Sequence, residues 1–269
     1  MRPARFLMIG LLVVVAVIVL GVPAAMWVAQ DHLIFFPQPV ASTAHLPART
    51  LRLTVTAADG TSLAGWVVPG DAMPAPTVIF FGGNAEEVSW MMADGRWPPA
   101  WTRVALNYRG YGTSEGKPAA TELLADGLAI FDAVAARQGI DRARIVVFGR
   151  SLGTAVATHV AAKRPVAGTI LVSPYDTLAA VARTHYPFLP VSLLLRHRFV
   201  PAEEAPRCRS PLLVIVADAD SIIPIERSRV LYEAWAGPKQ WLGFPRVDHN
   251  TLGATREFWD AVNRFLADR

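Results

Sequence analysis

The chain has 269 residues, 52% of them apolar and 18% charged, which suffices for one substantial core and leaves little room for a second domain. Arg2 and Arg5 at the extreme N-terminus supply two charges of the formal net +4. The other cations are spread along the chain, which excludes the clustered basic face of a nucleic-acid binder. A lone cysteine, Cys208, excludes an intramolecular disulfide and a thiolate zinc cluster, and its charged surroundings (Arg207, Arg209) lack the strand and turn that would present a nucleophilic thiol.

From Phe6 to Ala29 no charged residue occurs, and about 20 apolar residues cross a hydrocarbon core roughly 30 Å thick. Residues 1–30 are therefore expected to form a single transmembrane anchor. Pro23, Ala24 and Ala25 would make a passable cleavage region, but the run exceeds the roughly 7–15 residues of a signal-peptide core. Arg2 and Arg5 precede the run, and no Lys or Arg follows it before Arg49. The positive-inside rule then puts the N-terminus in the cytoplasm and residues 31–269, the globular domain, outside the cytoplasmic membrane, in a periplasmic or extracellular location.

Past the anchor, β-branched and apolar runs bounded by Gly, Pro and Asp predict eight strands. They are Leu51 to Thr56, Leu63 to Val68, Thr77 to Phe81, Arg103 to Tyr108, Arg144 to Phe148, Gly168 to Val172, Pro211 to Val216 and Gln240 to Phe244. The first two, joined through Ala58, Asp59 and Gly60, read as a hairpin. Between the later strands, apolar spacings of three and four predict helices over Ala120 to Arg137, Ser151 to Arg164, Glu226 to Trp235 and Thr251 to Leu266. The implied fold class is α/β: a mostly parallel eight-stranded sheet with helices on both faces and ligands at the carboxyl ends of the strands. Residues 174–206, rich in Pro, Arg and large apolar side chains, fit neither period and read as a cap over that end.

Gly149, Arg150, Ser151, Leu152 and Gly153 spell G-x-S-x-G between a strand and a small-residue helix. That setting is a nucleophile elbow, in which the glycines let the backbone double back around an exposed serine. The same pattern recurs at Gly112 to Gly116 around Ser114, but several residues past its strand and in a loop. A plain helix N-cap is the ordinary alternative for Ser151. A nucleophilic serine needs a base, and the base needs an orienting carboxylate. Of the six histidines, His32 and His45 precede the sheet, His159 lies in the helix after Ser151, and His185 and His197 fall in the cap. His249 alone occupies a loop after the last strand. Asp218 and Asp220 both follow the strand LLVIV; Asp220 is preferred because Ile222 and Ile223 can fix its loop, and Asp218 and Asp176 remain alternatives. Backbone N–H groups for an oxyanion are expected from Leu152 and from the turn Gly82 to Ala85, with Asn84 the chosen donor and a simple tight turn the alternative.

The segments FFGGNAEEV, LNYRGYGTSEGKP, GRSLGTAVA, ADADSIIP and VDHN, in this order and spacing, resemble the BEM46-like (ABHD13/ABHD17-type) branch of the α/β-hydrolases. The likeness runs from about Leu33 onward. It implies an α/β-hydrolase fold and an integral membrane serine hydrolase, with Ser151 as nucleophile, Asp220 as acid, His249 as base, and Asn84 and Leu152 as oxyanion donors. Family members often carry histidine where Gly82 stands.

The expected activity is cleavage of an ester, thioester or amide bond through an acyl-enzyme on Ser151, with a small-molecule or lipid-like acyl substrate and neither metal nor organic cofactor. The alternative from another class is a catalytically idle, membrane-tethered scaffold. The cap run from His185 to Phe199, with Arg183, Arg196 and Arg198 among bulky apolar residues, reads either as a packed lid or as a segment that touches the bilayer and admits acyl chains.

Overall fold

The computed structural model describes residues 2–269; the side chains of Arg2 and Arg5, on which the expected orientation rests, lie outside the described ones. Helix α1 (Arg2–Ala16) passes through a π-helical segment (Val17–Gly21) into α2 (Val22–Ile34). Pro23, which has no N–H to give the carbonyl four residues back, lies two residues past that segment. By length and composition Met8–Ile34 is able to cross a membrane, and the helix runs beyond the expected boundary at residue 30.

One sheet holds strands β1 (Leu51–Thr56), β2 (Ser62–Val68), β3 (Ala75–Phe81), β4 (Thr102–Leu106), β5 (Ile140–Arg150), β6 (Gly168–Val172), β7 (Leu212–Ala217) and β8 (Lys239–Phe244). Their order is β1-β2-β4-β3-β5-β6-β7-β8. The β1–β2 and β2–β4 pairs are antiparallel and every pair from β4–β3 to β7–β8 is parallel. Every residue of β3, β4, β6 and β7 is buried, as strands covered on both faces require. The edge strand β1 buries only Leu53 and Val55, on one face.

The helices that follow are α3 (Ser89–Ala93), α4 (Ala120–Ala135), α5 (Gly153–Lys163), α6 (Leu178–His185), α7 (Val191–Leu194), α8 (Pro201–Glu204), α9 (Ile225–Ala234) and α10 (Arg256–Ala267). Helices α4, α5 and α9 pack on one face of the sheet, and α3 and α10 on the other. On the latter face Phe148 meets Phe80, Trp97 and Phe258 with ring centroids 5.3, 6.0 and 6.5 Å away, contacts that contribute about 0.5–1.5 kcal/mol each beyond area burial.

Two helix starts differ from the sequence expectation. The helix expected from Ser151 begins at Gly153, because Ser151 occupies the turn. That expected from Thr251 begins at Arg256, where Thr255 caps it by accepting from the Phe258 N–H at 3.3 Å. The region 174–206 is not a structureless loop: α6, α7 and α8 are short helices, with Pro187 and Pro190 between α6 and α7 and Pro201 opening α8, none of which can donate to a helical ladder.

Candidate active site

Strand β5 ends at Arg150 and α5 begins at Gly153, leaving Ser151 in the sharp turn between them with φ +50°. A non-glycine residue in that region costs about 1–3 kcal/mol and persists only where its surroundings impose it. Here they do. The Ser151 N–H donates to the Val172 carbonyl at 2.8 Å, which ties the turn to β6. A Cβ on Gly153 would stand 2.1 Å from the Phe81 carbonyl oxygen, and one on Gly149 2.4 Å from that of Gly153. Only glycines permit this approach, so the motif reflects a packing requirement at the carboxyl ends of β3 and β5. The Ser151 hydroxyl makes no hydrogen bond among the described residues and lines a cavity of about 220 Å³. The Ser114 hydroxyl, in contrast, accepts from the Ala64 N–H and donates to the Asn107 carbonyl, which commits it to holding its loop.

His249 follows β8 and is 4% exposed; its Nδ1 lies 2.7 Å from Asp220 Oδ2. With the proton on Nδ1, Nε2 keeps a lone pair, and Nε2 has no partner among the described residues. Asp220 is held on both oxygens: Oδ1 accepts from the N–H groups of Ile222 and Ile223 at 2.9 and 2.8 Å, and Oδ2 also accepts from Ser173 Oγ at 2.9 Å. Burial pushes the Asp220 pKa up, but the His249 hydrogen bond and charge, with the Ile223 and Ile222 N–H groups, outweigh it and leave the carboxyl below its ordinary value. Neither alternative acid reaches the histidine. Asp176 is paired with Arg227 at 3.0 Å, and Asp218 makes no hydrogen bond to His249 among the described residues. Four of the other five histidines have separate partners: His45 meets Ser89, His159 meets Glu204, His185 meets the Ile222 carbonyl and His197 meets Asp31; His32 is exposed on α2.

The turn after β3 brings Asn84 to the same cavity as Ser151 and Leu152. Among the described residues the backbone N–H groups of Asn84 and Leu152 donate to nothing, whereas that of Gly83 is taken by Glu86 Oε2. The Asn84 side chain fixes the turn: its Oδ1 accepts from the Phe36 N–H at 3.2 Å and from the Tyr111 hydroxyl at 2.9 Å. Burial pushes the Tyr111 phenol up to about 12, so it remains a donor at neutral pH.

Three residues of this site escape a reading of the sequence. Arg150, the unspecified second residue of the motif, contacts Glu86 Oε2 through Nη1 at 3.2 Å. Through Nη2 it contacts the His249 carbonyl at 3.3 Å and Asn250 Oδ1 at 3.2 Å. It thereby joins the turn after β3 to the loop carrying His249. Glu86 is its partner and the anchor for Gly83. Tyr175 lines the cavity with a buried hydroxyl that has no hydrogen-bond partner, and burial holds its pKa far above the usual phenol value.

A family model described as serine aminopeptidase, S33, matches residues 74–202. An uncharacterized Mycobacterium tuberculosis protein is 35% identical over 262 residues, covering 95% of this chain and 93% of its own. The chain belongs to the α/β-hydrolase superfamily. The YfhR protein of Escherichia coli is 32% identical over 204 residues, 72% of this chain and 71% of that one. The α/β-hydrolase domain-containing protein WAV2 of Arabidopsis thaliana is 26% identical over 281 residues, 93% and 91% of the two chains. An esterase of Pyrococcus furiosus superposes with a TM-score of 0.69 over 87% of this chain and 97% of its own at 18% identity. An acetyl xylan esterase from Paenibacillus gives 0.67 over 89% and 98% at the same identity. Both structures share the fold of this α/β-hydrolase.

Proposed function

We propose that this α/β-hydrolase is a membrane-tethered serine hydrolase of the BEM46-like type that cleaves an acyl ester, thioester or amide through an acyl-enzyme on Ser151. The observation that carries the reading is a strained, unpaired serine hydroxyl in a cavity that Leu152 and Asn84, whose N–H groups are also unpaired, line with it, together with a histidine oriented by a buried carboxylate. In this reading His249 Nε2 takes the Ser151 proton as Oγ attacks the acyl carbonyl, and Asp220 stabilises the imidazolium that results. The N–H groups of Leu152 and Asn84 meet the oxyanion, assisted by the N-terminus of α5. The imidazolium returns its proton to the departing alcohol, thiol or amine. Water deprotonated by His249 then releases the acid from Ser151.

The cavity lining supports an apolar acyl group. It consists mainly of Leu, Ile, Val, Met and Ala side chains, and among the described residues no Asp or Glu lines it. An enzyme that removes N-terminal amino acids needs a carboxylate to receive the free ammonium group, so acyl esters and thioesters fit this cavity better than aminoacyl amides. The apolar helix Met8–Ile34 supplies the tether in this reading, with the catalytic domain outside the cytoplasmic membrane.

The test is labelling of the folded full chain with a fluorophosphonate probe. Labelling that vanishes in Ser151→Ala is expected, and its persistence in that variant would refute the assignment. A parallel screen of acyl esters against aminoacyl amides should show turnover of the esters first.

A further inference from the structure

The apolar helix does not stop where the cavity begins. Met26, Gln30, Leu33 and Ile34 of α2 line the same cavity as Ser151. Their spacing of four, three and one places them on one face of a helix, and Val28, on the opposite face, is 70% exposed. This face is fastened to the cap by polar contacts that have no role in a free tether. Gln30 Nε2 donates to the Leu194 carbonyl at 3.2 Å, and Gln30 Oε1 accepts from the Arg196 N–H at 2.7 Å. Asp31 pairs with Arg196 at 2.8 Å and His197 at 2.6 Å, and the Arg196 guanidinium lies 4.9 Å from the Trp27 ring centroid. Just past the helix, the Phe36 N–H donates to Asn84 Oδ1 and to the Tyr111 hydroxyl. The Ile34 end of the wall is thus joined to the turn beside Ser151. Met26 lies about 12 Å farther along the axis at the usual rise per residue.

We infer that α2 is a wall of the substrate pocket, and that Met26, at its far end, limits the length of acyl chain that Ser151 can act on. The inference rests on the serine-hydrolase reading above and adds to it a specificity residue in the segment otherwise needed only for attachment. Because the same helix continues toward Met8, the pocket is walled by the element proposed to lie in the bilayer.

The experiment uses the full chain in detergent micelles and compares kcat/KM for acetate, octanoate and palmitate esters of one chromogenic alcohol. Met26→Trp should lower palmitate turnover on the order of 10-fold, the scale on which apolar pockets discriminate added bulk, and leave acetate within about 2-fold. Acetate turnover also reports that the variant is folded. Val28→Trp, on the opposite face, should leave all three esters unchanged. Equal effects of Met26→Trp on acetate and palmitate, or a palmitate-selective loss in Val28→Trp, would overturn the pocket-wall inference while the hydrolase reading stands. A full chain that turns over no ester and takes no fluorophosphonate label at Ser151 refutes the hydrolase reading, and this inference with it.

Discussion

Asp220→Asn tests the proposed chemistry most directly, because the structure determines what the substitution does to the proton on His249. In the parent, Asp220 accepts four hydrogen bonds: two backbone N–H groups on Oδ1, and His249 Nδ1 and Ser173 Oγ on Oδ2. Asparagine has only one acceptor atom. If that oxygen stays on the Ile222 and Ile223 N–H groups, its NH₂ faces His249 Nδ1. That nitrogen must then accept, which moves the proton to Nε2, where a lone pair is needed for Ser151. A change of tautomer of this kind lowers kcat on the order of 10⁴-fold, or about 5.5 kcal/mol of barrier. The loss of a charge-assisted bond destabilises the fold by about 1.5–3 kcal/mol, so the variant should remain folded. The parent's lowered Asp220 pKa adds a pH signature. Its contribution to stability is fully present above the unfolded carboxyl value of about 3.9 and is lost as pH falls through the folded value. The stability difference between parent and variant should therefore be constant at neutral pH and shrink in strong acid. Ester turnover with a parallel melt by circular dichroism reads all three. Turnover within about 10-fold of the parent, in a folded variant, would refute Asp220 as the orienting acid.

Arg150→Ala cuts the link between Glu86 and the His249 loop, so kcat should fall on the order of 10²-fold with KM little changed; an unchanged kcat removes Arg150 from positioning. Tyr175→Phe deletes a buried hydroxyl that lacks a partner, and should raise Tm, by about 2–4 °C per kcal/mol recovered. A lower Tm in that variant would show that the hydroxyl is satisfied in solution. Cys208 is fully buried and burial pushes its thiol up to about 12, so maleimide at pH 8 should label it only after denaturation; rapid labelling of the native chain contradicts that burial.

The eight strands were legible in the sequence because most of them are buried on both faces, and such strands appear as unbroken β-branched runs such as TVIFF and IVVFG. The elbow was legible because its glycines are forced by backbone contact, which leaves the same residues wherever a strand and helix meet this way. Helix starts were less legible: apolar spacing extends smoothly through Thr251 and Leu252, and the cap at Thr255 interrupts it without changing the period. Asp220 could be preferred over Asp218 only by position, since the deciding feature is which carboxylate meets His249 across 29 residues of chain. Arg150 left no mark, because the motif allows any residue there and its partners Glu86 and Asn250 come from two other loops.

The cap was the least legible part, and the reason is that its partners lie outside it. Leu193, Leu194 and Leu195 read as one apolar run, yet Leu193 is 85% exposed while Leu194 and Leu195 line the cavity. Helix α7 is a single turn, too short for a period to separate inward from outward positions. What fixes its ends is the other segment: the Leu194 carbonyl and the Arg196 N–H are both satisfied by Gln30, and Asp31 holds His197. A cap without α2 would leave these groups unpaired beside an open cavity, at about 1–3 kcal/mol for each buried one. The same dependence accounts for the outward apolar side chains. Phe188 is 98% exposed and Leu193 85%, in a cap fastened to the helix whose own outer face carries Val28 and Trp27. In water these side chains would only add to the exposed apolar surface. In the membrane-tethered reading proposed above, a bilayer entered by that helix would give them apolar surroundings.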